Sequence, residues 1–227
     1  MSGIDPPTVL GEQTITPITD GRGIITHFVS VLKDVSDVRK YHEQEVQLEL
    51  ARAVQQRFNA ASLRLPGFDI AAASHPSNET GGDYFDFIDA PNGVLYVAVG
   101  DVSGHGFDAA LIMALTRAYM RSFATLGMDV GDVLGRVNRA IVGDLEANRY
   151  VTMLLVRIDV ESGTVTYASA GHIPGVLLDG SEGLDCTLDS TGVPLGLFAD
   201  AAFATRHCRF GPQQILVLGT DGATLAA

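Results

Sequence analysis

Two carboxylates stand at corresponding ends of two short apolar runs. Asp83 lies in Glu79-Thr80-Gly81-Gly82-Asp83-Tyr84-Phe85-Asp86-Phe87 and Asp101 in Gly100-Asp101-Val102-Ser103-Gly104-His105-Gly106. Tyr84–Ile88 and Val94–Val99 read as β-strands, and Pro91-Asn92-Gly93 between them has the residues of a turn. A type I turn with Gly93 in the left-handed conformation pairs Ala90 with Val94. Counting outward places Asp83 opposite Asp101, Phe85 opposite Val99, Phe87 opposite Val97 and Asp89 beside Leu95. Like charges directly opposite one another destabilise a sheet, so a cation is expected between the two aspartates, and a divalent metal is the compact solution. Each aspartate taken alone also fits a turn residue that bonds its own backbone. A one-residue change in the loop would send the pair to opposite faces.

Asp221 closes the run Ile215-Leu216-Val217-Leu218-Gly219-Thr220 and precedes Gly222, repeating the design at Asp101: an apolar strand delivers a carboxylate to its end beside a small neighbour. A plain Asp-Gly turn is the alternative. Oxygen-only ligation suits Mg²⁺ or Mn²⁺. Gly81, Gly82, Gly104 and Gly106 give room for backbone and a phosphate to approach. Two cations held this way could make hydroxide from water near neutral pH and clamp an in-line displacement at phosphorus, with no protein nucleophile. His105 is the candidate for protonating a leaving oxygen, against a structural role in a Gly-rich loop. Ser103 beside it could form a Ser-His pair, but no orienting acid is evident. His172, in Ala170-Gly171-His172-Ile173-Pro174, reads as a packed or hydrogen-bonded turn residue.

The 227 residues that must position these groups suffice for one good-sized domain and an appendage. With 46% hydrophobic and 19% charged residues, the composition is that of a globular protein. No apolar run is long enough to span a bilayer, and Met1–Pro7 does not resemble a signal peptide, so a cytoplasmic location is expected. Cys186 and Cys208 read as reduced structural thiols. A formal charge of −12 argues against nucleic acid and suits cations or a basic partner patch.

Three segments emerge. Gln13–Ile18 and Gly23–Leu32 form a hairpin too small to bury a core by itself. Residues 35–60 are helix-like, with Asp34 or Ser36 as N-cap and a narrow stripe of Val46, Leu50, Val54 and Phe58. That stripe serves equally an amphipathic helix lying on the next domain or the seam of a homodimer. From residue 61 onward the pattern is α+β. Phe68–Ala73 reads as a strand and Phe107–Leu126 as a helix burying Ala109, Leu111, Ile112, Leu115 and Ala118. A second helix from Asp129 or Asp132 to about Glu146 follows, then a hairpin of Tyr150–Val160 with Thr164–Ala170, and strands at Gly175–Leu178 and Gln214–Gly219.

From about Ala51 to the C-terminus the chain resembles the metal-dependent serine/threonine protein phosphatases (PPM), in particular the bacterial SpoIIE-like branch. The motifs quoted around Asp83, Asp101, His172 and Asp221 carry the resemblance, together with Gly192-Val193-Pro194-Leu195-Gly196. It implies a four-layer fold, a β-sandwich flanked by helix pairs, that hydrolyses phosphoserine or phosphothreonine on a regulatory protein of the anti-anti-sigma-factor kind. It further implies two Mn²⁺ or Mg²⁺ ions ligated by Asp83, Asp101, the Val102 carbonyl and Asp221, with Asp101 bridging. The phosphate-binding arginine of the eukaryotic branch has no counterpart before Asp83. The family also continues past the equivalent of Asp221 to a strand bearing another metal-binding aspartate, whereas this chain stops six residues after it. A non-catalytic regulatory module with incomplete ligation is therefore the competing expectation. Residues 1–34 resemble the last two strands of a PAS sensor domain, leaving 35–60 as linker and 61–227 as a C-terminally incomplete phosphatase domain. Gly81-Gly82-Asp83-Tyr84-Phe85 also echoes the signature of diguanylate cyclases, but there the glycines form the hairpin turn, which here falls at Pro91–Gly93.

Overall fold

The computed structural model describes residues 11–43, 45–46, 49, 63–74, 82–91, 93–145, 148–180 and 183–223, in two compact units, Met1–Leu50 and Ala51–Ala227. In the first unit β1 (Gly11–Thr19) and β2 (Ile25–Asp34) pair antiparallel. Every residue of both strands is exposed, as expected of a two-stranded ribbon. Asp34 Oδ1 accepts the Ser36 N–H at 2.9 Å, and residues 36–43 are helical. Of the apolar stripe only Val46 is described; Leu50, Val54 and Phe58 lie outside the described residues.

The second unit is α+β and layered. A five-stranded antiparallel sheet has the order β3 (Tyr84–Ala90), β4 (Val94–Val102), β5 (Val151–Asp159), β6 (Thr164–Ala170), β9 (Arg206–Arg209). A three-stranded sheet has β7 (Gly175–Asp179) between β10 (Gln214–Val217) and β8 (Gly183–Leu188). Helices α1 (Phe107–Ala124) and α2 (Val130–Ile141) cover one face of the larger sheet. The alternating strand pattern fills both interfaces. Tyr84, Ile88, Tyr96, Ala98, Met153 and Leu155 face the helices, while Leu95, Val97, Leu154, Val156 and Val165 pack with Leu188 of the smaller sheet.

The β3–β4 register matches the sequence reading, with Ala90 opposite Val94, Phe87 opposite Val97 and Phe85 opposite Val99. Gly93 adopts φ +70°, the left-handed conformation that this turn demands. Three expectations need correction. Phe68–Ala73 forms no strand; its Phe68 and Ile70 pack against the inter-sheet core, a burial that needs no ladder partner. On α1 the buried residues are Ala109, Ala110, Met113, Thr116, Met120 and Ala124, which turns Ala118 and Leu111 outward, the latter to 61% exposure. Helix α2 starts at the Asp129 N-cap, whose carboxylate accepts the Gly131 N–H, and ends at Ile141 rather than Glu146.

Candidate metal centre

The ends of the two sheets converge on one carboxylate cluster. Antiparallel pairing of β3 with β4 puts Asp83 and Asp101 together at the open end of the larger sheet. Asp221 comes from the 3₁₀ turn (Asp221–Ala223) after β10 of the smaller one. Ligand atoms of Asp83, Asp101 and Asp221 all lie within 4.8 Å of one another. Asp101 is half-buried, and its two partners are exposed. Burial, followed by the negative charges of Asp83 and Asp221, pushes the Asp101 carboxyl up to about 6. Three converging carboxylates without a cation between them repel, and that repulsion is what a divalent ion would cancel.

The backbone around the cluster is equally specific. A Cβ on Gly82 would collide with the Val102 carbonyl oxygen and stand 2.6 Å from Asp101 Oδ1. Gly82 therefore leaves room for both oxygens to approach, and the Val102 N–H donates to its carbonyl at 3.2 Å. A Cβ on Gly222 would sit 3.3 Å from Asp83 Oδ2, so the Asp221 turn closes directly over Asp83. An all-oxygen set of this kind fits Mg²⁺ or Mn²⁺.

The loop after Asp101 is held from one side. Ser103 donates its N–H to the Tyr150 carbonyl and accepts the Tyr150 N–H on Oγ, both at 2.9 Å. Arg149 Nη1 donates to the Ser103 carbonyl at 2.6 Å and lies against Gly104, whose φ is +93°. The Ser103 hydroxyl oxygen thus anchors the loop to the backbone of residue 150. His105 is exposed on this loop, outside the carboxylate cluster.

His172 is buried, at 5% exposure. Its Nδ1 lies 2.9 Å from Thr152 Oγ1 and its Nε2 lies 3.0 Å from the Gly219 carbonyl. Burial lowers its pKa, against the opposing pull of the Gly219 carbonyl, Asp221 and Asp83. The preceding Gly171 has φ +63°, and a Cβ there would stand 2.5 Å from Pro194 Cγ. Its N–H donates to the Gly192 carbonyl at 2.9 Å, so the motifs at 168–172 and 192–196 dock on each other.

Sequence reasoning missed the anchor behind β3. Asp86 is wholly buried beneath α1, where it accepts from Arg121 Nε at 2.6 Å, Arg121 Nη2 at 3.0 Å and the Tyr84 hydroxyl at 3.1 Å. Arg117 Nε lies 3.3 Å away. The only signal in the sequence was a charged residue on the helix-facing side of an apolar strand. Arg149 and Thr152 were missed as well, because no local pattern ties residues 149–152 to β4.

The family model for stage II sporulation protein E (SpoIIE) matches residues 91–227, more than half of the chain. The chain belongs to the SpoIIE family. Asp101 and Asp221 lie inside the match, and Asp83 lies just before it. Two Bacillus subtilis proteins are similar over most of the chain. Phosphoserine phosphatase RsbU is 28% identical over 80% of this chain and 55% of its own length. Phosphoserine phosphatase RsbP is 29% identical over 78% of this chain and 44% of its own. The chain thus spans about half the length of these relatives. Among solved structures, the RsbU and RsbW domains of a Mycobacterium tuberculosis protein superpose with TM-score 0.56 at 30% identity, covering 63% of this chain and 39% of that one. The SiaA PP2C domain of Pseudomonas aeruginosa gives 0.54 at 26%, covering 63% and 56%. The PP2C phosphatase domain of Bacillus subtilis SpoIIE shares the fold, with TM-score 0.58 at 16% identity over 65% of this chain and 42% of that one. This SpoIIE-family fold accounts for the two-sheet layering, with one helix pair among the described elements.

Proposed function

We propose that this SpoIIE-family chain is a metal-dependent phosphatase acting on phosphoserine or phosphothreonine of a regulatory partner protein, of the anti-anti-sigma-factor kind. The observation that carries the reading is the convergence of Asp83, Asp101 and Asp221 within 4.8 Å at the junction of the two sheets of a phosphatase fold. Those three carboxylates and the Val102 carbonyl would hold Mn²⁺ or Mg²⁺, two ions in all. Bound cations would supply activated water and neutralise charge on the phosphoryl oxygens.

The chain's own residues then have separate tasks. Gly82 leaves room for the Asp101 carboxylate and the Val102 carbonyl, and Gly104 leaves room for the Arg149 guanidinium. Arg149 and Tyr150 hold the loop that carries Val102 and His105. His105, exposed on that loop, donates its proton to the departing seryl or threonyl oxygen as the P–O bond breaks. The proposed division is a PAS-like end (1–34), a linker (35–60) that can pair two chains, and the phosphatase domain (61–227); the boundary between the two compact units, after Leu50, falls inside that linker. No helix among the described residues is long and apolar enough to cross a membrane, which is compatible with action on a cytoplasmic partner.

The test is release of phosphate from a phosphoseryl protein substrate in Mn²⁺, with Asp101→Asn alongside. Mn²⁺-dependent turnover that Asp101→Asn abolishes, with the fold intact by circular dichroism, is expected. Metal binding without turnover on any phosphoprotein would instead favour a non-catalytic regulatory module.

A further inference from the structure

We infer that His172 is a positioning residue for the metal centre, a brace that fixes the distance between the Asp101 strand and the Asp221 turn. This rests on the metal-centre reading and adds to it a residue outside the carboxylate group.

The inference begins with placement. Thr152 is the register partner of Asp101 across the β4–β5 ladder, so the two side chains share a face. Gly219 lies two residues before Asp221, in the segment that leaves β10 of the other sheet. His172 follows β6 and spans the gap between them, with Nδ1 2.9 Å from Thr152 Oγ1 and Nε2 3.0 Å from the Gly219 carbonyl. One imidazole therefore ties the larger sheet to the smaller at the edge where the three carboxylates meet.

Chemistry fixes the direction of both bonds. A carbonyl oxygen can only accept, so Nε2 carries the proton and donates to Gly219. In the neutral ring Nδ1 then has a lone pair, and the Thr152 hydroxyl donates to it. That use of the hydroxyl proton takes precedence over the longer contact of 3.4 Å to the Asp101 carbonyl. A short polar side chain could satisfy one end of this bridge but not both. The rigid ring, with nitrogens on opposite sides, sets a fixed span. The ring is itself immobilised, since Gly171 before it is pressed on Pro194 and bonded to Gly192. Without the brace, Asp221 would still be present, but its turn would lose a side-chain tie to the larger sheet.

The experiment is Mn²⁺ titration by calorimetry on the whole chain, with thermal unfolding of each metal-free variant as a parallel measurement. His172→Ala is expected to weaken Mn²⁺ binding by about 10- to 100-fold, the usual effect of removing a group that orients ligands. Thr152→Val keeps the shape and β-branching, the milder of the two changes, and it is expected to weaken binding toward the lower end, about tenfold. His172→Gln, whose amide can donate to Gly219, should recover part of the loss. A merely structural role would lower the unfolding temperature and leave the Mn²⁺ affinity of the folded protein alone. Folded His172→Ala and Thr152→Val proteins that bind Mn²⁺ as tightly as wild type overturn the brace. If His172→Ala does not fold, Thr152→Val decides. A wild-type chain that fails to bind Mn²⁺ overturns the metal-centre reading itself, and the brace with it.

Discussion

Arg121→Ala should be among the most destabilising single changes in the second unit, although Arg121 lies at the surface end of α1 with its side chain 43% exposed. The reason is what it leaves behind. Asp86 has no exposed surface, and Arg121 supplies two of its hydrogen bonds in a bidentate fork. Removing one partner of a buried ion pair costs about 3–5 kcal/mol, because the other charge stays desolvated. Arg117 and Tyr84 remain to share the load, so the lower figure, about 3 kcal/mol, is expected. For a domain of this size each kcal/mol shifts the midpoint by about 2–4 °C, giving a fall of about 6–12 °C. Thermal and urea unfolding followed by circular dichroism would measure it. Arg121→Lys keeps the charge but loses the fork and should fall between. The double variant Asp86→Ala/Arg121→Ala removes the orphaned carboxylate and should be less destabilised than the two single losses added together. A loss below about 1 kcal/mol for Arg121→Ala would refute the idea that this ion pair anchors α1 to β3.

Other outcomes follow from the same geometry. The Asp101 carboxyl is raised to about 6, so its protonated form is favoured in the folded metal-free protein. Its contribution to stability is therefore full at low pH and is lost as pH rises through about 6, a slope that Asp101→Asn should remove when unfolding temperatures are compared between pH 5 and 7. By the same linkage, Mn²⁺ binding near pH 6 should release protons, read as a dependence of the calorimetric heat on buffer ionisation. Gly82→Ala should weaken Mn²⁺ binding far more than it lowers the unfolding temperature, because its methyl group would press on Asp101 Oδ1 and the Val102 carbonyl; equal effects on both would contradict the cradle. Gly171→Ala combines a left-handed φ with a clash against Pro194 and should cost about 2 kcal/mol or more in urea unfolding.

The parts of the site that were legible in the sequence are those set by local chemistry. Pro91 to Gly93 fixed the turn, the turn fixed the register, and the register brought Asp83 to Asp101. Asp221 was legible because an apolar strand ending in Asp-Gly is a local pattern. What was not legible depends on partners far along the chain. The β4–β5 ladder, which sets Thr152 beside Asp101, forms across two intervening helices. Asp86 meets Arg121 from 35 residues away. Strand β8 is an edge strand, exposed along most of its length, so it lacks the apolar alternation that announces a strand. Phe68–Ala73 has β-like composition, yet its apolar side chains find the inter-sheet core while the backbone joins no sheet.

Two of the three carboxylates ride on the larger sheet, and the third arrives from the smaller one. The site therefore works as a caliper whose jaws belong to different plates. Packed side chains between the plates, such as Val97, Leu154 and Leu188, fix how far apart the jaws stand. A slide of one plate over the other by a fraction of an ångström would detune the ligand spacing with every aspartate still in place. Substitutions deep in that seam, far from any charged group, should thus surface first as a changed appetite for metal. Conversely, an ion gripped between the jaws would hold the plates together, so that occupancy and mechanical cohesion rise as one quantity.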